Sequence, residues 1–226
     1  MKITIFGCCR QDSLYSSYDV TCIKDEIAFC HYTKEMLEAI RYCKTGHLSP
    51  EETIYVLRNP LVHRNQLLYE DRFKQELENT DVFVIEISGK KTYEYNNHFS
   101  HHSLYTESQM FGISDSIKNS VIVRDQSYDE IYSDVLEIKK ELYNKPIIIV
   151  THIVTRNTGS RYDLMNMLEK ICNKVSIPII NPVKEILARG HDLYDLIDAD
   201  NKHYNNHGHD VIKSIYDEFI SSICKM

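Results

Sequence analysis

The sequence predicts an α/β protein, a three-layer α/β/α sandwich with a mostly parallel sheet. Four short segments are rich in isoleucine and valine and nearly continuous in hydrophobicity, as strands buried on both faces of a sheet are. Helical patterns alternate with these segments along nearly the whole chain. This alternation favours parallel pairing, because a helix then carries the chain back to begin the next strand.

The predicted elements follow from their apolar spacing and from the residues that start them. Strands are predicted at residues 3–6, 82–87, 146–150 and 177–180, and a weaker fifth at 121–123. Helices are predicted at residues 34–43, 69–78, 128–142, 161–175 and 209–224. Thr33 is the expected cap of the first helix, and Ser127 with Glu130 forms a capping-box pattern at the third.

Two segments lack a simple periodicity. Residues 49–60, "SPEETIYVLRNP", are predicted to form a helix because Ser49, Pro50 and Glu52 are a strong helix start, although "TIYVL" is also typical of a strand. Residues 90–120 are predicted to form an irregular excursion over the carboxyl end of the sheet. Loops at that end are where such folds bind ligands.

Composition indicates the number of domains and excludes several classes of partner. A chain of 226 residues fits one domain, 1–226. Its 26 basic and 33 acidic residues give a net charge of -7, with no basic run dense enough to follow a phosphate backbone. No segment approaches the roughly 20 apolar residues that span a bilayer, and Met1 and Lys2 lead directly into a strand. We therefore predict a cytoplasmic protein without nucleic-acid or membrane partners.

Cysteine usage agrees with a reducing compartment. The seven cysteines are an odd number and show no paired CxxC spacing. A chain of this size can bury a sufficient core without disulfide bonds. We therefore interpret all seven as reduced thiols.

Two stretches carry reactive side chains at places where this fold would bind a ligand. In "FGCCRQDSL", Cys8, Cys9 and Arg10 directly follow the first strand. A thiolate is favoured at a helix amino terminus beside a cation, whereas a cysteine that only fills buried space is the alternative interpretation. In "DADNKHYNNHGHD", Asp200 precedes His203 by three residues, a spacing at which a carboxylate can hold an imidazole in one tautomer.

Together the two stretches resemble the first and last sequence blocks of the SGNH, or GDSL, hydrolase superfamily. In that family, Gly-Asp-Ser follows the first strand and supplies the nucleophile, and Asp-x-x-His near the carboxyl end supplies the acid and the base. The resemblance assigns Gly7 to the glycine, Cys8 to the aspartate, Cys9 to the nucleophile, Asp200 to the triad acid and His203 to the triad base. "FGCCRQDSL" resembles an atypical branch with cysteine in this loop, which includes uncharacterised and capsular-polysaccharide-related proteins.

The sequence departs from this family at two positions. Cysteine stands where the family has its nucleophilic serine, and the family's Gly-x-Asn-Asp block has no match in "ISGKKTYEY". Ser88 and Gly89 occupy roughly that place but offer no side-chain amide. The backbone N–H groups of Cys9 and Gly89 are the expected oxyanion donors.

Histidines elsewhere suggest alternatives. The stretches "NNHFSHH" and "HYNNHGH" are dense enough in imidazole to suggest zinc, although solvated loop histidines are the simpler interpretation and we predict no bound metal. Histidines of these two stretches are His98, His101 and His102, and His203, His207 and His209.

Further polar residues follow the third predicted strand. His152 is expected to face the same crevice as Cys9, as a second polar site residue or as the base in place of His203; a structural hydrogen bond at the strand end is the alternative. Arg156 and Arg161 are candidates for holding an anionic substrate group, or for surface ion pairs. GxGxxG and P-loop patterns are absent, so no cofactor is predicted.

The predicted function is acyl chemistry with a Cys9, His203 and Asp200 triad. Transfer of the acyl group to water would make the protein an esterase, and transfer to a sugar hydroxyl or an amine would make it an acyltransferase. Expected substrates are a small-molecule or glycan acyl ester, with an acyl thioester as the donor for transfer. The alternatives are a non-catalytic carbohydrate- or ligand-binding domain and a metal-dependent hydrolase that uses the histidine cluster.

Overall fold

Eight strands form two sheets in the computed structural model, which describes residues 1–27 and 29–224. In chain order they are β1 (Lys2–Phe6), β2 (Asp19–Val20), β3 (Val82–Ile87), β4 (Lys91–Tyr95), β5 (His98–Phe99), β6 (Ile122–Asp125), β7 (Ile147–Thr151) and β8 (Ile179–Ile180). The central sheet has the order β2-β1-β3-β7-β8, and each neighbouring pair is parallel. The predicted α/β class with a mostly parallel sheet is therefore confirmed.

Eleven α-helices accompany the strands within the described residues. They are α1 (Ile23–Glu26), α2 (Thr33–Thr45), α3 (Pro50–Val56), α4 (Arg58–His63), α5 (Asp71–Asn79), α6 (Ser103–Thr106), α7 (Asp115–Ser120), α8 (Tyr128–Glu141), α9 (Ser160–Val175), α10 (Pro182–Ala188) and α11 (Asn206–Ile223). Two short 3₁₀ helices, Cys9–Ser16 and Leu193–Asp195, complete the chain's regular structure. None of the described helices is long and apolar enough to cross a membrane.

The continuous hydrophobicity of the central strands is explained by burial on both faces. Every residue of β3 and β7 is buried. Ile85 and Ile149 face a core formed with α2, α5, α8 and α9, whereas Val84 and Ile148 face a second core formed largely with α11. Consecutive residues of a strand point to opposite faces, so both faces require apolar side chains.

Several predicted helix boundaries are corrected by local chemistry. Ser49 does cap α3, but the predicted helix 49–60 is interrupted at Leu57, whose backbone is extended. Pro60 follows closely and has no N–H to donate to the carbonyl of Val56. That carbonyl instead accepts the backbone N–H of His101 at 3.0 Å. The helix start is thus set by capping and its end by proline.

The expected cap at Thr33 is also corrected. Thr33 is the first residue of α2, and its hydroxyl donates to Asp134 at 2.6 Å instead of capping the helix. Tyr32 occupies the capping position without a side-chain hydrogen bond. A tertiary contact with α8 therefore replaces the local interaction that the sequence suggested.

The predicted excursion contains regular structure. Strands β4, β5 and β6 form a separate antiparallel sheet in the order β5-β4-β6. The weak strand predicted at residues 121–123 lies here rather than in the central sheet. It pairs on one side only, and Ile122 is exposed, which suits an edge strand better than a buried central one.

The order of the central strands determines where a ligand can bind. The chain passes from β1 to β2 on one side and later to β3 on the other, so β1 and β3 enclose the point where the winding direction changes. Ligands of open α/β sheets bind outside the carboxyl ends of such strands. Cys8 and Cys9 follow β1, and Ser88 and Gly89 follow β3.

Candidate functional site

The loop after β1 begins with a glycine that has no room for a side chain. A Cβ atom on Gly7 would lie 2.5 Å from Oε1 of Gln11 and 3.0 Å from Cβ of Glu86. Oε1 of Gln11 in turn accepts the backbone N–H of Cys8 at 2.9 Å. The glycine thus lets the cysteine loop close tightly against β3.

Cys8 is a buried residue and not an exposed nucleophile. Its thiol donates to Oε2 of Glu86 at 2.9 Å. Burial, followed by interactions with Cys9 and Glu86, raises the pKa of the Cys8 thiol well above its usual value. The interpretation of a cysteine that fills buried space therefore suits Cys8.

Glu86, a residue that the motifs did not identify, holds this loop in place. It is the one carboxylate in the otherwise apolar strand β3, and only 1% of its surface is exposed. Arg10 donates to Oε1 of Glu86 from Nε at 2.7 Å, and its Nη2 lies 2.6 Å from the same oxygen. Burial alone would raise the pKa of Glu86, but the charge of Arg10 and the hydrogen bonds lower it to about 2. A lone acidic residue inside the run "VFVIEI" was the available sequence signal.

Arg10 also connects the two predicted halves of the site. Its Nη1 donates to the backbone carbonyl of Lys202 at 3.1 Å. Lys202 lies between Asp200 and His203, so one buried guanidinium joins the loop after β1 to the loop before α11. Arg10 and Lys202 are 192 residues apart in the chain.

Asp200 and His203 form the predicted pair. Nδ1 of His203 lies 2.5 Å from Oδ2 of Asp200. Backbone N–H groups of Lys202 and His203 donate to Oδ1 of Asp200 at 2.8 and 3.2 Å. These hydrogen bonds, led by that from Lys202, lower the pKa of Asp200 to about 2. When the His203 ring is neutral, donation of its Nδ1 proton to Asp200 leaves the lone pair on Nε2.

Cys9 is half-buried and lines a cavity of about 260 Å³ together with His203. A hydrogen bond from Cys8 and the charges of His203 and Arg10 lower the pKa of the Cys9 thiol to about 6, against the opposing effect of burial. The single proton of the Cys8 thiol also faces Glu86. That proton can bind only one acceptor at a time. The charges of His203 and Arg10 lower the pKa of Cys9 whichever acceptor it binds. Cys9 combines access with an easily formed thiolate.

His152 lies near the buried ion pair but does not line the Cys9 cavity. Its Nδ1–H donates to the carbonyl of Ile153 at 2.6 Å. Burial, followed by the charge of Arg10, lowers the pKa of His152 to about 3. This neutral, hydrogen-bonded ring matches the structural alternative given for His152.

The expected oxyanion donors differ in their availability. The backbone N–H groups of Ser88 and Gly89 both donate to the carbonyl of His31, at 3.0 and 2.8 Å. Gly89 is therefore not a free donor, which corrects that expectation. The N–H of Cys9 makes no hydrogen bond to the described residues 1–27 and 29–224. The side chain of Ser88 contacts Nδ1 of His31 at 2.8 Å.

The predicted histidine cluster is divided between two places. His98 joins His47 around Glu38, whose Oε1 lies 2.9 Å from Nδ1 of His98 and 2.7 Å from Nε2 of His47. His101 and His102 instead join His31 in the wall of the Cys9 cavity.

Each group could in principle surround a metal ion, because its ligand atoms lie within 4.8 Å of one another. In the group of His31, His101 and His102, Nδ1 of His101 accepts the backbone N–H of Ser103 at 3.2 Å. The proton of neutral His101 is then on Nε2, which removes that lone pair from metal coordination. Burial lowers the pKa of all three rings.

Two more cavities lie near the Cys9 cavity, one of which shares lining residues with it. One of about 310 Å³ shares His31 and His102 with it, and also contains Ser160 and Arg161. The other, of about 530 Å³, shares Ser160 and Arg161 with the second and reaches Asp200. The 310 Å³ cavity thus lies between the other two, and His31, His102, Ser160 and Arg161 are the residues it shares with them.

No protein-family model matches the sequence, and no curated protein matches it. Among solved structures, a two-domain esterase active on acetylated mannans is 12% identical, with a TM-score of 0.48 over 100% of this chain and 50% of that chain. This chain thus spans about half the length of that esterase. A lipase/acylhydrolase from Enterococcus faecalis is 13% identical, with a TM-score of 0.44 over 98% of this chain and 95% of that one.

A catalytic mutant of an acetylxylan esterase from Geobacillus stearothermophilus is 10% identical, with a TM-score of 0.40 over 95% of this chain and 91% of that chain. All three similar structures are of esterases or acylhydrolases.

Proposed function

We propose that this protein is an esterase or acyltransferase in which Cys9 is the nucleophile, His203 the general base and Asp200 the residue that orients the base. The observation that carries this proposal is the Asp200–His203 hydrogen bond of 2.5 Å on a loop that Arg10 joins to the cysteine loop. Cys9 and His203 line one cavity, and the pKa of Cys9 is lowered to about 6.

The proposed reaction proceeds in two steps. His203 accepts the thiol proton at Nε2, Sγ of Cys9 bonds to the carbonyl carbon of an ester or thioester, and the leaving alcohol or thiol takes the proton from His203. Water, a sugar hydroxyl or an amine then gives its proton to His203 and attacks the acyl-enzyme, which releases Cys9. Asp200 stabilises the imidazolium in both steps. The free N–H of Cys9 is the proposed oxyanion donor.

The proposed substrates are an acyl ester of a carbohydrate or small molecule and, for transfer, an acyl thioester donor. A thiolate exchanges readily with thioesters, which suits Cys9 as the nucleophile. We also propose a cytoplasmic location, because its reducing conditions would keep Cys9 as a thiol. All seven cysteines are free in the structure.

The acyl-enzyme offers a direct test. Purified protein is treated with an activated acetyl thioester and digested, and the acetyl group is located by peptide mass spectrometry. We expect acetylation of Cys9, with a longer lifetime in His203→Ala if His203 also assists the second step. Cys9→Ala is the control and should lose the label. Acetylation of Cys8, or of neither cysteine, would contradict the proposed triad.

One alternative is a domain of the same fold that binds a carbohydrate without catalysis. The missing Gly-x-Asn-Asp block and the occupied N–H of Gly89 favour it. In that case Cys9 would remain unacetylated, while binding of glycans by the untreated protein would persist in Cys9→Ala.

Another alternative is a metal-dependent hydrolase. The approach of one nitrogen each from His31, His101 and His102 favours it, whereas the hydrogen bond from Ser103 to His101 opposes it. Elemental analysis after metal-replete expression distinguishes the two: stoichiometric zinc would support the metal-dependent mechanism, and a metal-free protein that still forms an acyl-enzyme would support the cysteine mechanism.

A further inference from the structure

The cavity of about 530 Å³ has an unusual charge for this protein. Arg156, Arg161 and Lys202 line it, and Asp200 is the one carboxylate in its wall. The whole chain, by contrast, has a net charge of -7. This cavity is therefore a basic site on an otherwise acidic protein.

These three cations have no anionic partner within the described part of the chain. No carboxylate of residues 1–27 and 29–224 lies within 4.0 Å of the charged groups of Arg156, Arg161 or Lys202. Asp200 is already hydrogen-bonded by His203 and by two backbone N–H groups. Surface ion pairing, the alternative interpretation of the two arginines, is thus not what the structure has.

Of the three cations, Arg161 is the one that lines two cavities. It lies at the start of α9 and lines both the 530 Å³ cavity and the 310 Å³ cavity that leads to His31 and His102. Arg161 remains exposed to solvent, and partial burial of its charged group, followed by repulsion from the charge of Arg10, lowers its pKa. A ligand anion beside Arg161 would relieve this repulsion.

The size and remaining surface of the cavity favour an organic ligand over a bare anion. Drug-sized ligands occupy pockets of roughly 300–1,000 Å³, and this cavity of about 530 Å³ lies in that range. Tyr162 and Tyr194 line it as well, and 64% of the surface of Tyr194 is exposed. Exposed aromatic rings provide flat apolar surface on which a ring of a ligand can stack.

We propose that this basic cavity binds the phosphate groups of an organic phosphate and thereby positions the acyl donor or acceptor whose reacting part lies beside Cys9. The proposal identifies a chemical class of substrate and rests on the proposed acyl transfer for its purpose, although the phosphate site can be tested without catalysis. Arginine is suited to the site because its planar guanidinium donates two parallel hydrogen bonds to a phosphate. Arg161 also lines the 310 Å³ cavity, which shares His31 and His102 with the cavity that contains Cys9.

Titration calorimetry of the Cys9→Ala protein with inorganic pyrophosphate and with ADP tests the site itself. We expect one saturable site for each ligand, with ADP bound more tightly because its base adds contact with Tyr194. Arg156→Gln/Arg161→Gln should weaken binding of both by at least about tenfold. Tyr194→Ala should remove the advantage of ADP alone. Circular dichroism and thermal unfolding verify that each variant is folded.

A matched double variant controls for the loss of two positive charges. Lys140 on α8 and Lys170 on α9 are exposed and do not line this cavity. Lys140→Gln/Lys170→Gln should retain the pyrophosphate affinity within about twofold, since distant exposed charges are largely screened. Absence of saturable binding, or equal weakening in the two double variants, would overturn the phosphate site. Equal affinities for ADP and pyrophosphate would overturn the claim that the cavity also binds the organic group of the ligand.

The same measurements separate this proposal from the proposed catalytic triad. Failure of Cys9 to acetylate, with phosphate binding intact, would remove the triad and leave the site. Acetylation of Cys9 without any binding of pyrophosphate or ADP would remove the site and leave the triad.

Discussion

The two halves of the proposed active site are built in opposite ways. The strand-end half, residues 7–10 with Glu86, is buried except for the half-buried Cys9: 6% of Arg10 and 1% of Glu86 are exposed. The loop half, residues 200–203, is open to solvent, and the side chains of Asp200 and His203 are 43% and 44% exposed. One half depends on the core for its position, whereas the other depends on local hydrogen bonds and on the contact from Arg10.

This difference means that similar polar contacts have different energetic consequences. Glu86 and Arg10 have been removed from water, so either charge alone would be strongly unfavourable. Asp200 and His203 retain solvent, so losing one of them leaves a hydrated partner and little change in folding. We therefore expect substitutions of the buried Glu86 or Arg10 to reduce stability, and those of Asp200 or His203 to reduce activity.

The largest expected effect on stability is that of Glu86→Gln. This change leaves the buried Arg10 without a counter-charge and should lower the free energy of unfolding by about 3–5 kcal/mol, as measured by urea denaturation at pH 7. Glu218→Gln is the control, because Glu218 pairs with Arg189 at the surface. The control should change by less than about 1 kcal/mol. Equal effects of the two substitutions would remove the distinction between the halves.

Glu86→Gln also predicts a pH dependence. The pKa of Glu86 is lowered to about 2 in the folded protein, below the value of about 4.3 for an unfolded glutamate. Its stabilisation is therefore present above pH ~4.3 and is lost as the pH falls toward 2. Unfolding measured between pH 5 and 2 should show a smaller decline for the variant than for the unchanged protein.

A smaller loss, in activity alone, is expected for Asp200→Asn. The neutral amide no longer stabilises the imidazolium or fixes its tautomer, so turnover of an acyl thioester should fall by about 10²-fold. Asp200 is exposed, so the urea denaturation midpoint should stay nearly constant. Unchanged turnover would remove Asp200 from the mechanism, and a Cys9–His203 dyad would then suffice.

The alkylation rates of the Cys8 and Cys9 thiols compare a buried with a half-buried residue of the strand-end half. At pH 6, a pKa of about 6 makes Cys9 half thiolate, against about 0.3% for an ordinary thiol of pKa ~8.5. Lower intrinsic nucleophilicity reduces this advantage to about tenfold in alkylation rate. Limiting iodoacetamide followed by peptide mass spectrometry should therefore label Cys9 before the exposed Cys224 and leave Cys8 unlabelled.

The pH dependence of this labelling has a definite sign. A lowered pKa means that the Cys9 thiolate persists above about pH 6 and is lost as the pH falls through that value. The alkylation rate of Cys9 should thus level off above about pH 7. Preferential labelling of Cys8, or labelling of Cys224 alone, would show that Cys9 is not activated.

The smallest expected effect is that of Arg10→Lys. An ammonium can pair with Glu86, but its single nitrogen cannot also reproduce the fork that reaches the carbonyl of Lys202. We expect a smaller loss of stability than in Glu86→Gln and a decrease in turnover of roughly tenfold, with the loop half displaced. Urea denaturation measures the loss of stability, and turnover without urea, where the variant and the unchanged protein are both folded, measures the effect of the displaced loop.

Local patterns predicted the elements that are uniform along the chain. The apolar run at residues 82–87 is β3 itself, and Ser127 with Glu130 caps α8 as expected. Short and weak strands were harder to predict: β2 was not predicted, and the weak strand at residues 121–123 lies in a second, antiparallel sheet that the sequence did not indicate. Such short strands acquire their partners from tertiary contacts, since few residues carry too little local preference.

The sequence by itself determined the α/β class, because strands buried on both faces need apolar residues at successive positions. It also singled out Cys9, Asp200 and His203 as the candidates for the proposed triad, through their resemblance to two family blocks. The tertiary structure decided which cysteine is accessible. It also placed Glu86 under the cysteine loop. Adjacent residues leaving a strand point in different directions, and a buried carboxylate is recognisable only beside its distant arginine. Those contacts form between segments far apart in the chain, and no local spacing specifies them.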